Sequence, residues 1–161
     1  QTIIRAIADA VQDKANLVAS WLEAEDAELA ARMRERGSFF RDAPAAIAVG
    51  AAHYQTRFDQ VFAAREKTDP SAVQMRRGRD IANTRIQSVS SAIAYLLLIL
   101  HQMGLGAVWM TGPMQAKGDI EKILRVPPEM DIIAFIPVGY PAESPVSAGR
   151  KPVREVCEIV R

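Results

Sequence analysis

The run Ala92–Leu100, AIAYLLLIL, is apolar on every side of a helix, and it constrains this chain more than any other feature. It ends at His101–Gln102, well short of the roughly 20 apolar residues that cross a bilayer, so no membrane span is expected. A helix apolar all round belongs at the centre of a packed domain. The pattern predicts a long helix from about Asp80 to Met103, closed by Gly104 and Gly106 on either side of Leu105. Composition supplies the core to bury it in. The 161 residues are 49% hydrophobic, which suits one folded domain and excludes disorder. With only 9 Gly and 9 Pro, a collagen-like or low-complexity chain is excluded as well.

Charge and cysteine usage narrow the setting. Lys plus Arg total 20 and Asp plus Glu total 19, a balance with no general pull toward nucleic acid or anionic membrane. The single cysteine cannot make an internal disulfide framework, so a reducing, cytoplasmic setting is expected. No secretory signal precedes Arg5, and no initiator methionine is present, so the chain is expected to start inside a longer protein.

Around the apolar helix the elements alternate. Ile3, Ile4, Ile7, Val11 and Ala15 form one helical stripe, continued by Leu17, Val18, Trp21 and Leu22. The segment Glu23–Arg36 continues as a helix with a solvated charged face, Glu28 pairing with Arg32, until Gly37–Ser38 stops it. Ala43–Ala52 reads as a buried strand. Asp69–Pro70–Ser71 reads as a helix start, with Asp as N-cap. The charged segment Gln55–Arg77 reads as an excursion that covers a site or meets a partner subunit. Further on come a short strand at Ala107–Met110, a turn at Thr111–Pro113 and a helix at Gln115–Leu124 closed by Pro127–Pro128. The clearest strand, Asp131–Tyr140, follows; 142–149 reads as a loop and Val153–Val160 as a terminal strand. Helices around a few interrupted strands indicate a mixed α and β domain with one sheet.

Direct catalytic signatures are sparse. His53 and His101 lie far apart without a metal-spaced cluster, and no phosphate-binding glycine loop or nucleophile elbow occurs. Cys157 has no histidine near it in sequence, and a structural role is favoured. The basic run Met75–Arg79 reads either as a phosphate site or, preferably, as a solvated face. Arg150–Lys151, stiffened by Pro152, could hold an anion or be a plain exposed pair. Thr111–Gly112 is a strand-to-loop junction that can offer backbone N–H groups to a ligand, with Gly112 permitting close approach. Trp109 is favoured as core over site.

These junctions, in this order, resemble the nitroreductase family of flavoproteins. The resemblance is carried by Ser88–Leu98 (SVSSAIAYLLL) and by Met103–Gly112 (MGLGAVWMTG), a buried helix, a G-L-G turn and a short strand. Leu124–Glu129 is similar to the family's l-x-i-P step, and Ile136–Pro141 to its i-x-x-G-y-P strand end. Arg150–Val153 resembles its closing basic-Pro element, and Asp42–Ile47 its a-P-x-x-i strand. The match runs from about Phe40 to Val160.

The resemblance implies an α+β fold with a mostly antiparallel central sheet flanked by helices. It implies a homodimer with FMN at its interface, an oxidoreductase passing electrons from NAD(P)H to nitro compounds, quinones or similar acceptors. Thr111 and Gly112 fall where the family places backbone near the isoalloxazine ring, and Arg150 where a cation meets the FMN phosphate. No catalytic side chain and no metal are implied. The family's early R-R-S-x-R and P-S-x-x-N-x-Q-P-W elements do not occur here, and Ala94–Tyr95 replaces a common Gln-Asn pair. Residues 1–161 therefore read as a single such domain lacking the family's N-terminal segment. A non-enzymatic flavin-binding or dimerising scaffold is the alternative.

Overall fold

In a computed structural model, described for residues 1–143 and 149–160, three antiparallel strands form one sheet in the order β1-β3-β2. The chain runs α1 (Thr2–Leu22), α2 (Ala27–Arg36), β1 (Ala45–Ala52), α3 (Arg57–Arg65), α4 (Pro70–Ala82) and α5 (Thr84–Gln102). Then follow β2 (Gly106–Ala107), a 3₁₀ turn (Gly112–Ala116), α6 (Lys117–Leu124), β3 (Met130–Gly139) and α7 (Val153–Val156). No helix among the described residues is long and apolar enough to cross a membrane.

Strand β3 is the spine, and its period of two sorts the core into two faces. Phe135 points to one side, where Ile4, Ile7, Ala8 and Val11 of α1, Phe40, Ala116 and Ile120 are buried with it. Ala134, Ile136 and Val138 point to the other, onto Ile93 and Leu100 of α5. Strand β1 divides the same way: Ala46 and Ala48 join the α1 side, Ile47 and Val49 the α5 side. The β1–β3 register slips by one between Val49 and Gly50, a bulge that leaves Ile133 as the extra residue. A Cβ on Gly50 would lie 2.7 Å from Met130 Sδ, so a larger residue there would require the Met130 side chain to shift.

Several expectations hold. The α1 stripe buries Ile4, Ile7, Val11 and Ala15, although Ile3, Leu17 and Trp21 face outward. Helix α2 carries the Glu28–Arg32 ion pair at 2.8 Å. Asp69 caps α4 by accepting from the Ser71 amide at 2.8 Å, with Pro70 in the first turn. Gly104, at φ +75°, ends α5: Leu105 N–H reaches Leu100 O and Gly104 N–H reaches His101 O, both at 3.0 Å. These are the two bonds of a Schellman turn, whose left-handed residue favours glycine.

Four expectations are corrected. The helix expected over 80–103 is two helices, broken at Asn83, which takes φ 40° and caps α5 through Ile86 N–H at 3.2 Å. Its apolar second half is not buried all round; within one copy only Ile93 and Leu100 are, because the sheet covers a single face. The strand expected at Ala107–Met110 shrinks to Gly106–Ala107 plus an isolated bridge from Met110 to Phe135. The terminal strand expected at Val153–Val160 is instead the one-turn helix α7 and an extended end, exposed throughout. With nothing to pair against, its weak alternation selects no sheet edge. The predicted loop at 142–149 falls largely outside the described residues.

Candidate functional site

Thr111 and Gly112 owe their position to β3. Met110 N–H donates to Phe135 O at 3.0 Å and Phe135 N–H to Met110 O at 3.2 Å. That bridge leaves the next two residues at the sheet margin, where Met114 N–H on Thr111 O opens the 3₁₀ turn at 2.9 Å. Both residues are exposed, and the Thr111 hydroxyl has no partner among the described residues. A Cβ built on Gly112 would meet nothing within 4 Å, so packing inside the chain does not demand glycine there.

The two neighbours open onto different clefts. Thr111 lines one of about 450 Å³, with Trp109, Ile132 and Ile133 as apolar wall and Arg85, Ser90 and Lys117 as polar wall. Gly112 lines another, against Arg32, Met33 and Arg36 of α2. Arg150 is exposed and lines neither.

At the base of the Thr111 cleft lies a cluster that sequence reading did not find. Asp131, at the start of β3, accepts from Lys117 Nζ through Oδ1 at 2.8 Å. Its Oδ2 accepts from Arg85 Nη1 at 2.8 Å, and His53 Nε2 lies 3.0 Å from the same oxygen. Lys117 also reaches Glu121 at 2.7 Å, and Glu121 accepts the Ile132 amide at 2.9 Å. Lys117 first, then Arg85, hold the Asp131 carboxyl down from its ordinary 3.8 to about 2. Lys117 and the Ile132 amide lower Glu121, and the two carboxylates raise Lys117. Arg85 and Lys117 are thus balanced by Asp131 and Glu121, which makes the cluster an orienting device and not an anion trap. Only the Lys117–Glu121 spacing was legible beforehand; Arg85 lies 46 residues from Asp131 in sequence, and His53 farther still.

A stability consequence follows from the lowered carboxylates. The folded state binds their protons less readily than the unfolded chain, so their contribution is full above about pH 4. It is lost as pH falls through the folded value. Urea unfolding at stepped pH is expected to show a drop between about pH 4 and pH 2, and Asp131→Asn is expected to reduce it. An equally steep drop in the variant would assign acid sensitivity to other groups.

Other sequence candidates resolve as follows. In the basic run, Arg79 binds Asp59 at 2.8 Å and Arg76 binds Glu66 at 2.5 Å, so these two cations serve ion pairs and the phosphate reading loses them. Trp109 is both core and site: it packs on the α5-side cluster and lines the Thr111 cleft. Its Nε1–H is buried and has no acceptor among the described residues, a state that costs free energy. Cys157 is exposed.

The family model described as the nitroreductase family matches residues 2–140. The chain belongs to the nitroreductase family. The match takes in α1 and α2, which the sequence resemblance had left out, and ends before Arg150. A protein of Methanothermobacter thermautotrophicus, provisionally named NADH dehydrogenase/NAD(P)H nitroreductase, is 41% identical over 63 residues, 37% of this chain and 32% of its own. An iodotyrosine deiodinase of Thermotoga neapolitana is 42% identical over 55 residues, 34% of this chain and 28% of its own. The chain thus spans less than a third of the length of these curated relatives. A solved BluB-like flavoprotein from Clostridium difficile 630 shares the fold, with TM-score 0.80 and 24% identity over 99% of this chain and 75% of that one. The family carries the reading of a flavin oxidoreductase; the differing names of these relatives leave the acceptor open.

The described residues fit the ring portion of a flavin. The cleft joins an apolar wall to hydroxyl and N–H donors, the space over Gly112 is open, and a buried indole N–H lacks an acceptor among them.

Proposed function

We propose that this protein is an FMN-dependent oxidoreductase that passes electrons from NAD(P)H to nitro compounds, quinones or similar small acceptors, working as a homodimer in the cytoplasm. The observation that carries this reading is the Thr111–Gly112 junction, fixed by the Met110–Phe135 bridge and open to an incoming ring, in a chain of the nitroreductase family. When bound, the flavin would supply hydride acceptance and electron donation, so no side chain here need act as acid or base. The protein's share is binding and orientation. The backbone at Thr111 and Gly112 sets the ring plane, while Trp109, Ile132 and Ile133 keep water from one side. Arg85 and Lys117, held by Asp131, keep the polar wall rigid. Arg150 is the proposed partner of the FMN phosphate.

The test is direct. Incubated with FMN and desalted, the protein is expected to retain a yellow flavin spectrum, to bleach with NAD(P)H and to recover colour with a quinone. A protein that remains colourless overturns the reading. Flavin retained without bleaching or turnover favours the scaffold alternative.

A further inference from the structure

The chain leaves the sheet at Ala52 and returns to the body at Thr84, and between them α3 and α4 form a hairpin stitched mainly to itself. Thr56 and Asp59 make a capping box at the start of α3. Arg79 of α4 closes on both, through Asp59 Oδ1 at 2.8 Å and Thr56 Oγ1 at 3.2 Å, and Arg76 ties to Glu66. Only Ala72 in these two helices is buried. Beneath the hairpin is a cleft of about 690 Å³ between Tyr54, Thr56, Phe58 and Arg79 on its side and Ala51, Arg85 and Ser88 on the other. The hairpin is therefore one stiff piece standing off the body and attached by its two ends.

Both ends converge on a single oxygen. His53, just past β1, and Arg85, just past the left-handed Asn83, meet Asp131 Oδ2 at 3.0 and 2.8 Å. Arg85 is locked further by the carbonyls of Ala51 and Ala52 at 3.2 and 3.3 Å. The other oxygen of Asp131 holds Lys117, at the start of the helix that follows Thr111–Gly112. We propose that Asp131 is a positioning residue that pins both roots of the α3–α4 hairpin and so sets the stance of a hinged cover over the adjoining clefts. A rigid hairpin on two hinges cannot swing as a body without breaking the Arg85 ion pair or the His53 contact at Asp131. The inference concerns the attachment of the hairpin and does not rest on the flavin reading.

Hydrogen exchange on the whole chain, without cofactor, tests it. In Asp131→Asn the protected amides of 57–82 are expected to exchange about tenfold faster, while those of β3 keep their rates. Lys117→Met leaves both roots attached and is expected to leave the hairpin rates unchanged. Wild-type hairpin rates in Asp131→Asn, an equal loss across hairpin and β3, or a hairpin loosened as much by Lys117→Met would each overturn the pin. Should Asp131→Asn fail to fold, the double variant His53→Ala with Arg85→Met serves. Faster hairpin exchange there supports the proposal, and wild-type rates refute it.

Discussion

Leu98→Asp is expected to convert the proposed dimer into a monomer. On α5 and its C-cap the exposed stripe Tyr95, Leu98, Ile99 and Met103 is 70%, 66%, 54% and 66% accessible within one copy. Spaced three and four apart, these side chains form one apolar face turned away from the sheet. So much clustered apolar surface marks an interaction site more often than free surface. A second copy of the chain is the simplest cover, because a two-fold axis sets the stripe against itself and buries each side chain twice. Losing one buried leucine per copy forfeits at least about 3 kcal/mol for the pair, roughly a hundredfold in dimer affinity, before the cost of burying the new charge. Sedimentation velocity across a concentration series reads this directly. A wild-type protein that sediments as a monomer would remove the dimer, and a dimeric Leu98→Asp variant would place the interface elsewhere.

That stripe also shows where sequence reading reaches its limit. Period alone made Ala92–Leu100 a core helix, and the structure confirms the face bearing Ile93 and Leu100. Periodicity cannot say whether the remaining face is covered by the same chain or by another molecule. Local signals were legible wherever the cause is local. The Asp69 cap, the Schellman turn at Gly104 and the Pro44-led strand each depend on residues a few positions apart. The Asp131 cluster was not legible, since His53, Arg85 and Lys117 reach it from three separate elements. The break at Asn83 was missed for a further reason: asparagine fits a helix cap and a left-handed turn alike, and no glycine or proline stands beside it to mark the boundary. Thr111 and Gly112 were placed near a ligand by resemblance, and what the structure adds is their anchor, the bridge to Phe135.

That anchor gives the second large effect. Phe135 is 2% exposed, with its ring 5.0 Å from that of Phe40 and buried against the α1 and α6 side of the core. Phe135→Ala removes a large aromatic from a site walled by α1, Phe40 and Ile120, none of which can collapse freely into the gap. The expected loss is about 3–5 kcal/mol. Against the roughly 5–15 kcal/mol that holds a domain of this kind together, such a loss leaves it marginal and lowers the melting temperature by roughly 10 °C. Phe135→Leu fills most of the space and is expected to lose much less. Urea unfolding of the two variants beside wild type checks both statements. The Met110–Phe135 bridge is made by backbone atoms, so the truncation does not delete it; what it removes is the packing that holds β3 in place behind Thr111. Flavin affinity should therefore fall in order with stability across the series, Phe135→Ala well below Phe135→Leu. If affinity stayed at the wild-type level in a destabilised Phe135→Ala, the Thr111–Gly112 junction would owe its position to something other than this core.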